Sequence, residues 1–159
     1  MDQYAFLLGY FDKQLTLAKR LYGEIVNIDL TSYDKRFVFA LKTQQFYTAL
    51  EDLFKQIAKS FENHIDNLSS FHRELLMRMN IEVPKTRPAV LSTQSLLFLD
   101  KLRSFCHFIG HAYDCELEQE ELIRIQNKLK AEFAALDCDL NQFRTFIQEL
   151  TECNSESYR

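Results

Sequence analysis

Three glycines and two prolines are the only residues of those two types among 159 positions. Tight reversals and missing amide donors are therefore scarce, and a chain also rich in Leu, Lys, Glu, Gln and Phe is expected to run in long helices. No strand pattern, internal repeat or low-complexity segment is visible. Long apolar runs are missing too: none approaches the roughly 18–20 residues that cross a bilayer, so no membrane association is expected. The first residues lack the basic, apolar, small-residue order of a secretion signal, which makes the cytoplasm the expected compartment. The four cysteines (Cys106, Cys115, Cys138 and Cys153) form no C-x-x-C pair and no disulfide-framework spacing. In a reducing compartment they stay thiols.

A strong charge of one sign is also lacking. The 19 Lys/Arg and 23 Asp/Glu leave a net charge of −4, which argues against broad nucleic-acid binding. The charge is nevertheless uneven: residues 70–105 come to +3, residues 106–159 to −6 and residues 1–69 to −1. A positive centre can attract a phosphate backbone. Ordinary solvated helix faces give the same count.

What is present is the balance of a soluble globular protein, 47% hydrophobic and 26% charged. The length suits one domain with a real core. Apolar residues step by threes and fours from Tyr4 to Ile25, from Phe46 to Phe61, and from Leu122 to Leu150, each run laying a stripe along a helix. "NIDLTSYDK" (27–35) and "NHIDNLSS" (63–70) separate helices with capping residues, and a short helix "FHRELLMRMN" follows the second. "VPKTRPAVLST" (83–93) holds both prolines and reads as a loop in which Ser92 or Thr93 caps the next helix. "DCELEQEEL" (114–122) turns into the last helix, its acids near the favourable N-terminal end. Four long helices and one short one predict an all-α antiparallel bundle: a single domain over 1–153 with a frayed tail at 154–159.

The stretch "LRSFCHFIGHAYDCELEQEEL" (102–122) concentrates the reactive side chains. On that helix Leu96, Leu99, Leu102, Ile109 and Ala112 can serve as core. At about 100° per residue, Arg103, Cys106, His107, Gly110 and His111 share one broad face, with Tyr113 at its edge. Gly110 costs about 1 kcal/mol relative to Ala inside a helix, which either a close approach by another helix or ligand, or mere tolerance, would account for. Three chemistries fit. A histidine can move the 2′-hydroxyl or leaving-group proton of RNA, and an arginine can stabilise the charge building on phosphorus, with no metal. His107, His111 and Cys115 follow an i, i+4, i+8 spacing that zinc can use, although no fourth ligand and no H-E-x-x-H is present. Or the histidines are ordinary polar-face residues and Tyr113 a core ring with a bonded hydroxyl. His72 can reach the loop or the motif helix, or serve at the surface or as a cap, and nothing singles out His64.

Residues 68–150 resemble the HepT-like branch of the HEPN superfamily. "FHRELLMRM" is similar to that family's short-helix pattern (W/F)-H-(R/K)-E-L-L, and "TRPAVLS" to its R-P-x-(V/I)-(L/I)-S loop. "LDKLRSFCHFIGHAYDCEL" is similar to its L-x-x-L-R-x-F-R-H-x-x-R-x-x-Y-x-x-E-L helix, all three in order and in register. The resemblance implies an all-α bundle that dimerises. It also implies a ribonuclease toxin, encoded beside a small nucleotidyltransferase antitoxin, that needs no cofactor or metal. The family signature is an Arg, four residues, a His, one residue and a Tyr. His111 and Tyr113 stand at the His and Tyr positions, and Tyr113 is then the acceptor for AMP added by the partner. Cys106 stands where the signature has its Arg, and Gly110 where the family has a second one. A cysteine cannot bind a phosphate as a guanidinium does. Arg103, about 60° from Cys106 on the helical wheel, and His107 are the remaining candidates for the missing charge. The resemblance thus implies either an impaired RNA-cleaving toxin using His111 with Arg103 or His107, or an inactive HEPN-fold protein. The inactive form would bind a nucleotidyltransferase-type antitoxin, a homologue or RNA.

Overall fold

Five helices follow one another: α1 (Gln3–Val26), α2 (Tyr33–Phe61), α3 (His72–Met79), α4 (Thr93–His111) and α5 (Gln119–Glu156). They are seen in a computed structural model of the chain that describes residues 2–62, 72–111 and 116–156. Four long helices and one short one are as expected, and no strand occurs among the described residues, where Val83 and Arg87 form an isolated antiparallel bridge. The break at 63–70, with His64, lies outside the described residues, as does Ala112. At the other end α5 runs through Asn154–Glu156, so these three residues of the expected tail are helical. The turn is held by local bonds: Gln148 Nε2 donates to Glu152 Oε1 at 3.1 Å and Ser155 Oγ to the Glu152 carbonyl at 2.7 Å.

The apolar stripes become the core. Leu7, Phe11, Leu15, Ala18 and Ile25 of α1 meet Phe46, Leu50, Leu53, Phe54 and Ile57 of α2 and Leu122, Leu129, Leu136, Leu140, Phe143 and Ile147 of α5, all of them buried. Rings tie the helices together: Tyr22 and Phe133 stack at 3.8 Å between centroids, and Phe39 meets Phe105 edge-on at 6.4 Å. Polar ties fix the register. Gln14 Nε2 donates to the Ala49 carbonyl at 3.0 Å, joining α1 to α2. Gln126 Nε2 donates to the Ile25 and Ile28 carbonyls, each at 3.0 Å, so α5 closes the C-terminal end of α1. Arg144 clamps Asp12, and this hydrogen bond holds the Asp12 carboxyl below the usual carboxylate range.

The loop from α3 to α4 turns on Arg87. Its side chain is 1% exposed and pairs with Glu62. The guanidinium also donates to the carbonyls of Ile81 at 3.0 Å, Pro88 at 3.2 Å and Arg78 at 3.2 Å. Lys85 takes a φ of 61° at the tip of this turn. Beyond it, the Val90 and Leu91 amides donate to the Met79 carbonyl at 2.7 and 2.9 Å. Ser92 is the cap of α4: its Oγ accepts from the Ser95 amide at 3.3 Å and donates to Asp139 Oδ2 of α5 at 2.7 Å. The R-P-x-V-L-S stretch is therefore a structural clamp that aims α4.

Removing Arg87 leaves three carbonyls short of a donor and opens a cavity. Arg87→Ala is expected to cost about 3 kcal/mol or more in urea unfolding. Arg78→Ala, which removes a more exposed partner of the same carboxylate, is expected to cost about 1 kcal/mol or less.

Candidate functional site

The reactive face of α4 turns toward the middle of α2 and the start of α3. Between them is a cavity of about 380 Å³. Arg103, Cys106, His107, Gly110 and His111 line it from α4, Gln44, Tyr47, Thr48 and Glu51 from α2, and His72 from α3. All five residues assigned to one face by helical spacing thus surround one space. His72, which the sequence left between reaching the motif helix and an ordinary surface role, lines that space too. Tyr113 and Cys115 lie outside the described residues, so the third member of the His107–His111–Cys115 trio has no place in this geometry.

The α4 face is directed inward by what backs it. Phe98, Leu99, Leu102 and Phe105 are buried, while Leu96 and Ile109 are half-buried against the core. The helix can therefore present only its other side to the cavity. Arg103 is anchored through Nε, which donates to Asp100 Oδ1 at 2.9 Å. Its charge still reaches Tyr47. His111 Nδ1 lies 2.9 Å from the His107 carbonyl. A carbonyl only accepts, so Nδ1 carries a hydrogen, and Nε2 is the nitrogen left to exchange a proton with a ligand. The rings of His107 and His111 lie on each other at 4.2 Å.

Cys106 sits deeper. Its Sγ approaches the Thr43 carbonyl at 3.9 Å, and Gln44 Nε2 donates to the Cys106 carbonyl at 3.4 Å. Burial, with the negative charge of Glu51 second, pushes its thiol up to about 12. At neutral pH it is a protonated, uncharged group and supplies neither a cation nor a thiolate nucleophile. Among the described residues close packing does not require Gly110: a Cβ there would meet only Gln44 Nε2, at 3.8 Å. Tolerance of a small residue in the cavity wall is sufficient.

Four residues of the site, Gln44, Tyr47, Thr48 and Glu51, had no part in the sequence reading, and two of them are buried. Glu51 is an acid on the buried side of α2, its side chain 7% exposed, with Oε2 at 2.8 Å from His72 Nδ1 and Oε1 at 3.2 Å from Lys55 Nζ. The available signal was position: Glu51 falls between Leu50 and Leu53 in an apolar stripe. Tyr47 is buried beside Glu51. Burial first, and then the charge of Glu51, keep its proton on.

A family described as HepT-like protein matches residues 38–147, a span containing every described residue that lines the cavity. No curated protein and no solved structure matches the chain. No described helix is long and apolar enough to cross a membrane.

The buried thiol makes a pH-dependent prediction. Unfolded, a cysteine ionises near about 8.5; folded, Cys106 holds its proton to about 12. The folded state binds the proton more tightly, so this contribution is complete below about pH 8.5 and is lost as pH rises toward 12. The melting temperature of the natural chain is expected to fall more steeply over that window than that of Cys106→Ala. In thiol labelling at pH 8, followed by peptide mass spectrometry, Cys106 is expected to react after the exposed Cys138.

Proposed function

The chain belongs to the HepT-like family of HEPN-fold proteins, and on that premise we propose that it is a toxin-type endoribonuclease acting in the cytoplasm without a metal. The observation that carries this reading is the gathering of Arg103, His107 and His111 around one cavity with room for a phosphodiester. His111 is the proton-transfer group, through the Nε2 that its bond to the His107 carbonyl leaves available. Arg103, with His107 beside it, supplies positive charge to the phosphorus as oxygen charge accumulates. Cys106 stands where the family signature has an arginine, and its uncharged thiol makes the enzyme slow. That same feature favours a second reading, in which the protein keeps the fold and binds RNA, a homologue or its antitoxin without cutting.

The partner we propose is a nucleotidyltransferase-type antitoxin that transfers AMP to Tyr113. A nucleotide phosphate added to Tyr113, two positions after His111 in the sequence, would compete with the phosphate of an RNA. We propose further that the protein is a homodimer. Tyr33, Phe37 and Leu41 step by fours along α2 and are all exposed, as are Val38 and, on α4, Phe108. An isologous pairing would cover that stripe on both copies. Phe37, 49% exposed and outside the core, offers a direct test: Phe37→Glu is expected to turn a dimer into a monomer in analytical ultracentrifugation, with its helical circular dichroism unchanged.

Cleavage is tested on single-stranded RNA in the presence of EDTA. The natural chain is expected to cut slowly, His111→Ala to lose about 10²-fold or more, and Cys106→Arg to gain about 10²-fold. A silent natural chain that Cys106→Arg activates would select the binding reading. Silence of both would overturn the ribonuclease assignment.

A further inference from the structure

We propose that Glu51 and His72 form the second proton-transfer device of this cavity, with His72 as the base that takes the 2′-hydroxyl proton of the RNA and His111 as the acid that protonates the leaving oxygen. The inference rests on the ribonuclease reading and assigns a role to two residues on elements other than the motif helix.

The geometry is that of an oriented imidazole. Glu51 Oε2 stands 2.8 Å from His72 Nδ1. An ionised carboxylate has only lone pairs to offer, so Nδ1 carries the hydrogen and donates it, which leaves Nε2 bare. The carboxylate is 7% exposed while the imidazole is 49% exposed and lines the cavity. The acid is thus hidden behind the ring and the ring is open to a ligand, the arrangement in which a carboxylate fixes the tautomer of a histidine base and stabilises the imidazolium it becomes.

The step balances without any co-reactant. His72 Nε2 removes the proton from the 2′-hydroxyl, and the 2′ oxygen forms a bond to phosphorus. The bond from phosphorus to the 5′ oxygen breaks, and that oxygen takes a proton from the imidazolium of His111. The products are a 2′,3′-cyclic phosphate and a 5′-hydroxyl end, and proton exchange with water resets the two rings. The charged and titratable groups facing the pair are Tyr47 and Lys55 from α2 and Arg103, Cys106, His107 and His111 from α4.

The test is the steady-state kinetics of RNA cleavage by the full chain and its variants, in EDTA, with His111→Ala as the reference loss. His72→Ala is expected to lose about 10²–10⁴-fold and to recover activity with added imidazole, which a structural role would not allow. His72→Gln keeps the bulk and a donor toward Glu51. It is expected to fold normally and be as inactive as His72→Ala. Glu51→Gln is expected to keep part of the rate, with kcat reduced and KM unchanged, because an amide cannot stabilise the imidazolium that forms during the step. Natural rates in His72→Gln, or an unchanged kcat in Glu51→Gln, would overturn the inference while His111→Ala still upholds the ribonuclease reading. Absence of cleavage in both the natural chain and Cys106→Arg would overturn the two together.

Discussion

Helix α2 packs against α1, α3, α4 and α5, and that crowding leaves it almost no freedom to turn about its own axis. A slip of one residue would swing every side chain by about 100°, withdrawing Phe46, Leu50, Leu53, Phe54 and Ile57 from their neighbours. Each of these buried side chains is worth roughly 1.5–3 kcal/mol. Burying one carboxylate costs several kcal/mol after relaxation. The apolar set outweighs the acid, so packing alone can hold Glu51 in place, and the acid is tolerated because Lys55 and His72 offset its burial. The position of the most buried charge in the cavity is thus a consequence of where the phenylalanines and leucines must go.

Helix α4 is held by a different means. Its start is tied by Ser92 to Asp139 of α5, and the preceding loop is organised around the Arg87 guanidinium. Its apolar side faces α2 and α5 through Phe98, Leu99, Leu102 and Phe105. What is left over, at intervals of three and four, is the side that carries Arg103, Cys106, His107, Gly110 and His111. Helix α3 brings His72 to the wall of the cavity and buries Leu75, Leu76 and Met79.

Much of this was legible in the sequence. The stripes of α1 and α5 are close to regular, and the two prolines mark the loop between α3 and α4, while the three glycines lie inside helices. The face on α4 followed from helix geometry alone. Phe98 and Phe105 were missed as core because the stretch around them was read for its reactive residues, and Phe39 because the α2 stripe was begun only at Phe46. Glu51 was hidden for a deeper reason. With Lys55 four residues on, it has the spacing of an exposed helical ion pair. Its burial depends on α3 arriving against it, a contact 21 residues away in the chain. The role of Arg87 was hidden in the same way, since a lone basic residue beside a proline gives no sign that it will be buried and will hold three carbonyls.

The same distinction clarifies what a cysteine at position 106 does to the site. Glu51 is near enough to Cys106 to oppose ionisation of its thiol. A guanidinium at that position would meet the same carboxylate as an opposite charge in a partly desolvated space, where the attraction is far stronger than in water. Part of the acid would then be committed to neutralising the arginine. A neutral thiol makes no such demand and leaves Glu51 to Lys55 and His72. Exchanging arginine for cysteine therefore does two opposite things on the proposed reading. It removes a charge from the place where phosphate oxygens would be stabilised, and it frees a buried acid to orient the imidazole on the other wall. The remaining positive charge comes from Arg103, one turn earlier and anchored to Asp100. The balance of the cavity shifts from binding an anion tightly toward moving protons, which is the more economical half of the chemistry to retain in an enzyme that works slowly.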